Sequence, residues 1–112
     1  MQIYKILTAD QWATFQHDLK FEGAPIDLTD GYIHFSTASQ IAETLAKHFG
    51  GQDGLVICAV DTDAVGADLK WEPSRGGDLF PHLYRSLDLA EVVQHGVAPL
   101  TGGHHSLPDF VA

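Results

Sequence analysis

Two pairs of polar side chains, each spaced two residues apart, have the residue types and spacing to do chemistry: His34 with Ser36, and His82 with Tyr84. Residues at i and i+2 share one face of a strand, so each pair would present its polar groups together. A histidine beside a hydroxyl can hold ribose, phosphate or carboxylate groups, or relay a proton. Both pairs are candidate ligand contacts. The alternative is that they only lie on the exposed face of an ordinary strand and bind nothing.

A second polar cluster surrounds the stretch that precedes His82. Arg75 is one of six basic residues and stands beside two glycines, which would let a ligand approach the backbone. Its guanidinium can hold a carboxylate or phosphate through two parallel hydrogen bonds. Glu72 alternates with Trp71 on a predicted strand and could act in a cleft as a general base or stabilise a cationic transition state. The alternatives are a surface ion pair for Arg75 and a solvated carboxylate for Glu72.

The bulk composition limits the classes of partner. The chain has 112 residues, of which 45% are hydrophobic and 19% charged, which is typical of one globular domain. A net charge of −9 should repel phosphate backbones, so a nucleic-acid partner is not expected. With no signal-peptide pattern and no apolar run near the ~20 residues of a membrane helix, we predict a cytoplasmic protein without a membrane partner. The single cysteine, Cys58, lies in an apolar run and is predicted to be buried and inert.

The pattern of elements predicts an α+β fold with two helices packed on a twisted, mostly antiparallel sheet. One helix begins at Thr8 with a capping box to Gln11, and another follows Thr37, which repeats the pattern with Gln40. Strands are predicted at 3–7, 55–60, 69–72, 79–84 and 92–100, with a short strand that carries residues 33–36 and a loop over 23–31. Residues 1–101 are expected to form the single compact domain and residues 102–112 a loose tail. The first and last strands could equally pair across a homodimer.

The seven histidines show no spacing that would indicate a metal site, and we predict none. His34-Phe35-Ser36 and His104-His105-Ser106 both spell His-x-Ser. Two-histidine phosphodiesterases use a pair of such motifs on strands, so that activity is a third interpretation.

Several stretches together carry a resemblance to a known family: 3–7, 30–37, 47–49, 71–73 and 80–84. The chain resembles a bacterial domain-of-unknown-function family, number 952, over nearly its whole length. That family has been grouped by remote fold similarity with the ADP-ribosyltransferase-like proteins, which bind NAD. In such enzymes a strand histidine holds the ribose, an aromatic residue stacks on nicotinamide, and a glutamate often stabilises the reacting centre.

The resemblance implies a role for several residues of this chain. His34 matches the ribose-holding position, with Ser36 and Thr37 beside it; Tyr84 would be the stacking aromatic residue and Glu72 the catalytic acid. The first hypothesis is therefore a protein that binds or processes NAD or an ADP-ribose compound, with NAD as the one ligand or cofactor implied. The second is a non-catalytic module that binds a small anionic metabolite or a partner. For the first, the ligand contacts are His34, Ser36, Thr37, Arg75, His82 and Tyr84.

Overall fold

A computed structural model describes residues 1–111, and it describes Arg75 by its backbone alone. Its helices are α1 (Ala9–Asp18), α2 (Pro25–Asp30), α3 (Ile41–His48) and α4 (Thr62–Val65), with 3-10 turns at Gly66–Asp68, Arg75–Gly77 and Leu89–Glu91. Its strands are β1 (Gln2–Leu7), β2 (Lys20–Phe21), β3 (Ile33–His34), β4 (Leu55–Asp61), β5 (Leu69–Pro73), β6 (Leu79–Leu83), β7 (Leu87–Asp88), β8 (Val92–Ala98), β9 (Leu100–Thr101) and β10 (His104–His105). The α+β class is confirmed.

The sheet is divided, which the sequence did not predict. One three-stranded sheet has the order β1-β4-β8 and a second has the order β3-β6-β5; two-stranded pieces join β2 to β7 and β9 to β10. All these pairs are antiparallel. The chain passes from one large sheet to the other at Phe35, because His34 pairs with β6 whereas Ser36 bridges to Tyr4 of β1.

Strands β1 and β4 of the first sheet are buried on both faces, whereas most of β8 is exposed. Alternate residues of β1 and β4 enter two separate apolar clusters, so that Ile3, Leu7 and Cys58 face one cluster and Ile6 and Ile57 face the other. The first cluster also receives Phe15 of α1, and the second receives Ile41 and Leu45 of α3. The prediction that Cys58 is buried is confirmed, and burial raises the pKa of its thiol to about 12.

Both long helices begin near the predicted residues. The capping box of Thr8 and Gln11 is confirmed, with the backbone N–H of Gln11 donating to Thr8 Oγ1 at 3.1 Å. At α3 only half of the predicted box forms: the Thr37 amide donates to Gln40 Oε1 at 3.0 Å, and Thr37 Oγ1 contacts Ser39 instead. Helix α3 consequently begins only at Ile41.

The predicted loop over 23–31 is wrong, because most of it is helix α2. Pro25 occupies the first turn, where its missing N–H costs nothing, and Asp27 accepts a hydrogen bond from the Ala24 amide at 2.7 Å. Gly31 ends the helix with φ of 88°, a backbone conformation that favours glycine. Proline, aspartate and glycine are typical of turns, whereas here they begin and end one short helix.

Residues 102–111 pack against the body of the domain. Strand β10 pairs with β9, and the Phe110 ring lies 6.4 Å from that of Tyr4. Leu107, Phe110 and Val111 cover the second apolar cluster. Across residues 1–111, no helix is long and apolar enough to cross a membrane.

Candidate functional site

One face of the β3-β6-β5 sheet carries a row of polar side chains, in which His82 is buried and its neighbours His34 and Lys70 are at least partly exposed. His34 pairs with His82, and His82 pairs with Lys70, so the three lie side by side across the three strands. Their neighbours Ile33 and Leu83 point the other way, into the first apolar cluster. Burial of one face of each strand therefore holds the polar row on the opposite face.

His34 is oriented by a buried carboxylate, Asp27, whose side chain is only 1% exposed. Asp27 Oδ1 lies 2.6 Å from His34 Nδ1 and accepts the His34 backbone amide at 3.1 Å. The Lys5 ammonium lies 2.9 Å from Oδ2 and 3.1 Å from Oδ1, and Oδ2 also accepts the Ala24 amide. Asp27 thus ties β1, α2 and β3 together at the base of the site.

These donors keep Asp27 ionised. Burial acts to raise its pKa, but the hydrogen bond with His34 and the charge of Lys5 outweigh it and lower the pKa to about 2. For Lys5, burial is the largest influence and lowers the pKa, although Asp27 opposes it. Because an ionised carboxylate only accepts hydrogen bonds, Nδ1 of His34 must carry the proton of the 2.6 Å contact. His34 therefore turns Nε2 away from the core.

We expect folding stability to fall as the pH drops below about 4. The pKa of Asp27 in the folded protein, about 2, is lower than its ordinary value of 3.8. Ionised Asp27 therefore stabilises the fold fully above pH 3.8, and this stabilisation is lost as the pH falls to about 2. The shift corresponds to about 2 kcal/mol. Urea unfolding between pH 2 and 6, together with the carboxyl carbon-13 shift of Asp27, measures both quantities; an Asp27 midpoint near 3.8 contradicts the prediction.

Nε2 of His34 meets a second carboxylate and an aromatic ring. Asp30 Oδ2, at the end of α2, lies 2.9 Å from Nε2. The Tyr32 ring centroid is 4.7 Å from that of His34 and 4.1 Å from that of His82, on which Tyr32 stacks at 18°. Tyr84 lies 5.2 Å from Tyr32. The rings form one continuous aromatic surface beside the polar row.

Glu72 is held by two donors on one oxygen. Tyr84 donates its hydroxyl to Oε1 at 2.6 Å, and His82 Nδ1 lies 2.9 Å from the same atom. The Tyr84 hydrogen bond is the largest influence on the Glu72 pKa and lowers it; the same bond raises the pKa of Tyr84 to about 12. Glu72 is therefore an oriented carboxylate, and no hydrogen bond among the described side chains, which do not include that of Arg75, involves its Oε2 or the Nε2 of His82.

A shallow cleft of about 220 Å³ opens beside these rings. Tyr32, Tyr84, Gly31 and Arg85 are among its lining residues, whereas His34, Glu72 and His82 are not. Arg85 is itself held by Glu91 at 2.7 Å and Asp68 at 2.9 Å. A larger groove of about 500 Å³ lies elsewhere and is mainly apolar, between the start of β1, the segment 37–39 and Phe110.

The structure brings together four of the sequence-predicted site residues: His34, His82, Tyr84 and Glu72. It does not bring Ser36 to this cluster, because the chain changes sheets at Phe35 and the Ser36 hydroxyl contacts Thr44 of α3 at 3.0 Å. The expectation that His34 and Ser36 share one strand face is therefore wrong.

Of the two remaining predicted residues, one lies apart from the cluster and the other has a side chain that the structure does not describe. Thr37 lines the apolar groove and caps the turn before α3. The side chain of Arg75 lies outside the described residues, so its predicted role stays a prediction.

The two His-x-Ser copies occupy different parts of the fold. His104 is exposed in the β9–β10 hairpin, which lies against α3, whereas His34 belongs to the β3-β6-β5 sheet. His105 contacts the Gln52 carbonyl at 2.6 Å. Within the described part of the chain, no three histidine, cysteine or acidic side chains are arranged to hold a metal ion.

Sequence reasoning did not select Lys5, Asp27, Asp30 or Tyr32 as site residues. One signal for Lys5 was present: it is a charge at the centre of an apolar strand, between Ile3 and Leu7 on the same face. Such a charge is expected to be paired, since an unpaired one would cost several kcal/mol. The partner could not be read from the sequence, because Asp27 lies 22 residues away.

The fold and the site define a small α+β domain with a histidine-, tyrosine- and carboxylate-lined surface on one face of an antiparallel sheet. A family model described as a protein of unknown function, DUF952, matches residues 6–95, and the chain belongs to that family. The crystal structure of protein CC0527 from Caulobacter crescentus is similar over 99% of this chain and 98% of its own, with 46% identity and a TM-score of 0.94. Its solution NMR structure covers 93% of this chain and 90% of its own, with a TM-score of 0.84. No curated protein matches the chain.

Proposed function

We propose that the surface formed by Tyr32, His34, Glu72, His82 and Tyr84 binds NAD or a related ADP-ribose compound and that the protein acts on the bond between nicotinamide and ribose. The observation that carries the proposal is the convergence of these five side chains on one face of one sheet. The ADP-ribosyltransferase-like fold and the NAD ligand both come from the family resemblance, and the residue types at the cluster support them.

Each part of the cluster has a chemical role in this proposal. His34, fixed through Nδ1 by Asp27, exchanges the contact of its Nε2 with Asp30 for one with a ribose hydroxyl. Tyr32 and Tyr84 offer aromatic faces to a planar ring, and a cationic pyridinium is favoured by such faces and by nearby carboxylates. Glu72, whose Oε2 takes part in no hydrogen bond among the described side chains, stabilises in this proposal the positive charge that develops on the ribose as nicotinamide leaves.

The position of Glu72 favours this function over a non-catalytic binding module. A binding module requires no carboxylate with an uncommitted oxygen beside the rings, and it would tolerate Glu72 paired to a structural lysine. Instead, Glu72 is held by the two aromatic members of the cluster, Tyr84 and His82. The phosphodiesterase interpretation is less favoured, because the second His-x-Ser copy lies in another sheet from His34.

The test is ligand-dependent thermal stability of the wild type, His34→Ala and the control His104→Ala. NAD or ADP-ribose at 100 times its dissociation constant should stabilise the wild type and the control by about 2.7 kcal/mol, which corresponds to several degrees. His34→Ala should show no shift at the same concentrations. Nicotinamide alone and a cyclic dinucleotide serve as comparison ligands.

Two results would contradict the proposal. One is the absence of any shift with NAD and ADP-ribose in the wild type. The other is an equal shift in His34→Ala, which would place the ligand elsewhere. A shift with the cyclic dinucleotide alone would favour the phosphodiesterase interpretation.

A further inference from the structure

We propose that Lys70 is a further ligand-binding residue, whose ammonium group binds the phosphate on the 5′ carbon of the ribose held by His34. This inference rests on the proposed function and deepens it, because it names the ligand class as ribosides that carry a 5′-phosphate or diphosphate. The observation that carries it is an exposed cation in the polar row that forms no ion pair with any described side chain, in a chain with a net charge of −9.

Lys70 differs in this respect from the other basic side chains that the structure describes. Each of the others forms an ion pair with a carboxylate, and Lys70 forms none with the described side chains. The nitrogen–oxygen distances are 2.9 Å for Lys5–Asp27, 3.1 Å for Lys47–Glu43, 3.9 Å for Lys20–Asp88, 2.9 Å for Arg85–Asp68 and 2.7 Å for Arg85–Glu91. The charge of Lys70 is therefore available to an anionic ligand.

The register of the sheet places Lys70 at one end of the polar row. Lys70 of β5 lies opposite His82 of β6, and His82 lies opposite His34 of β3. Because neighbouring strands are about 4.8 Å apart, the backbone of Lys70 lies about 10 Å from that of His34. A ribose with its 5′ carbon, together with an extended lysine side chain, bridges a separation of that size.

An aromatic ring holds the ammonium group beside the cleft. Nζ of Lys70 lies 4.7 Å from the centroid of the Tyr84 ring, and Tyr84 lines the cleft of about 220 Å³. A cation–π contact of this kind orients a cation without neutralising it. The contact occupies one face of the Tyr84 ring, so the Tyr32 ring and the other face of Tyr84 are left for the ligand.

A phosphate at this surface requires a nearby cation, because Glu72 lies two residues from Lys70 on the same face of β5. The hydrogen bond from Tyr84 is the largest of the influences that lower the pKa of Glu72, and the charge of Lys70 is a smaller one. The ammonium group is thus close to Glu72 without being paired with it. Its three N–H groups can donate to phosphate oxygens, and its charge offsets the repulsion between the phosphate and Glu72.

The experiment measures affinities for benzamide riboside, its 5′-phosphate and ADP-ribose by titration calorimetry. The first two compounds differ only in the phosphate on the ribose that the proposed function places at His34, and the carbon–carbon bond between their ring and ribose cannot be hydrolysed. The proteins are the wild type, Lys70→Met, Lys70→Arg and the control Lys47→Met, which removes an exposed lysine from α3.

The wild type, Lys70→Arg and the control should bind the 5′-phosphate at least about tenfold more tightly than the riboside, as expected for one charge-assisted hydrogen bond. Lys70→Met should lose this preference and bind ADP-ribose about tenfold more weakly. Its affinity for the unphosphorylated riboside should not change, because the ribose and ring contacts remain.

The outcomes separate this inference from the proposed function. If Lys70→Met keeps the wild-type affinity for ADP-ribose, or if the wild type binds the riboside and its phosphate equally, the role of Lys70 is overturned while the proposed function stands. Equal losses for the riboside and its phosphate in Lys70→Met would also overturn that role, since they would show a general change of the surface. If the wild type binds none of the three compounds, the proposed function and the inference fall together.

Discussion

Replacing Asp27 by asparagine is expected to lower the free energy of unfolding by about 3 kcal/mol or more, a large part of the 5–15 kcal/mol typical of a domain. The reason is that Lys5, with a side chain only 7% exposed, would remain buried without a carboxylate. The substitution also weakens the Nδ1 contact of His34 and the link between β1, α2 and β3. Urea unfolding followed by circular dichroism measures the change.

A double variant identifies the physical cause. Lys5→Met combined with Asp27→Asn removes the orphaned charge, so we expect it to be more stable than Asp27→Asn alone. The exposed pair Lys20–Asp88, whose charged atoms are 3.9 Å apart, is the matched control, and its substitution should change stability by less than about 1 kcal/mol. If Asp27→Asn behaved like this surface pair, the buried ion pair would not be the structural base of the site.

Replacing Glu72 by glutamine is expected to lower the rate of nicotinamide release from NAD by about 100-fold, the magnitude usual for loss of one charge-stabilising group in a transition state. The amide keeps the size of the side chain and can still accept from Tyr84 and His82, so the affinity for ADP-ribose and the melting temperature should change little. Release of nicotinamide, measured by chromatography under single-turnover conditions, gives the rate.

The control for this prediction is Glu43→Gln, an exposed carboxylate on α3. It should leave the rate unchanged. Equal rates in the wild type and Glu72→Gln would remove Glu72 from the reaction, whereas binding of NAD without any release by the wild type would favour the non-catalytic module. A loss of ADP-ribose affinity in Glu72→Gln equal to the loss of rate would show that Glu72 binds the ligand and does not act on the transition state.

Local sequence patterns, such as capping residues and apolar runs, were sufficient to predict much of the fold. The capping box at Thr8 and the apolar run of β4 are each encoded within about ten residues, and both elements lie where the pattern predicts them. The spacing of His82 and Tyr84 was also sufficient to predict that they share one face, and the pairing of β5 with β6 brings both beside Glu72.

The errors occur where the structure depends on distant residues. The His34–Ser36 pair is separated because β3 lies on one sheet and Ser36 bridges to β1 of the other, which no local spacing reveals. The helix Pro25–Asp30 has only six residues and is stabilised by Asp27, whose partners Lys5 and His34 lie on strands β1 and β3. Short elements of this kind gain their stability from tertiary contacts more than from local propensity.

The sequence by itself therefore determined the α+β class, the antiparallel strands, the buried cysteine and four residues of the candidate site. Only the tertiary structure decided that His34 faces His82, that Lys5 and Asp27 form the buried ion pair at its base, and that Asp30 and Tyr32 complete the surface. The physical reason is that hydrophobic periodicity is a local property, whereas a buried charge and its partner are brought together only when two sheets and a helix pack against one another.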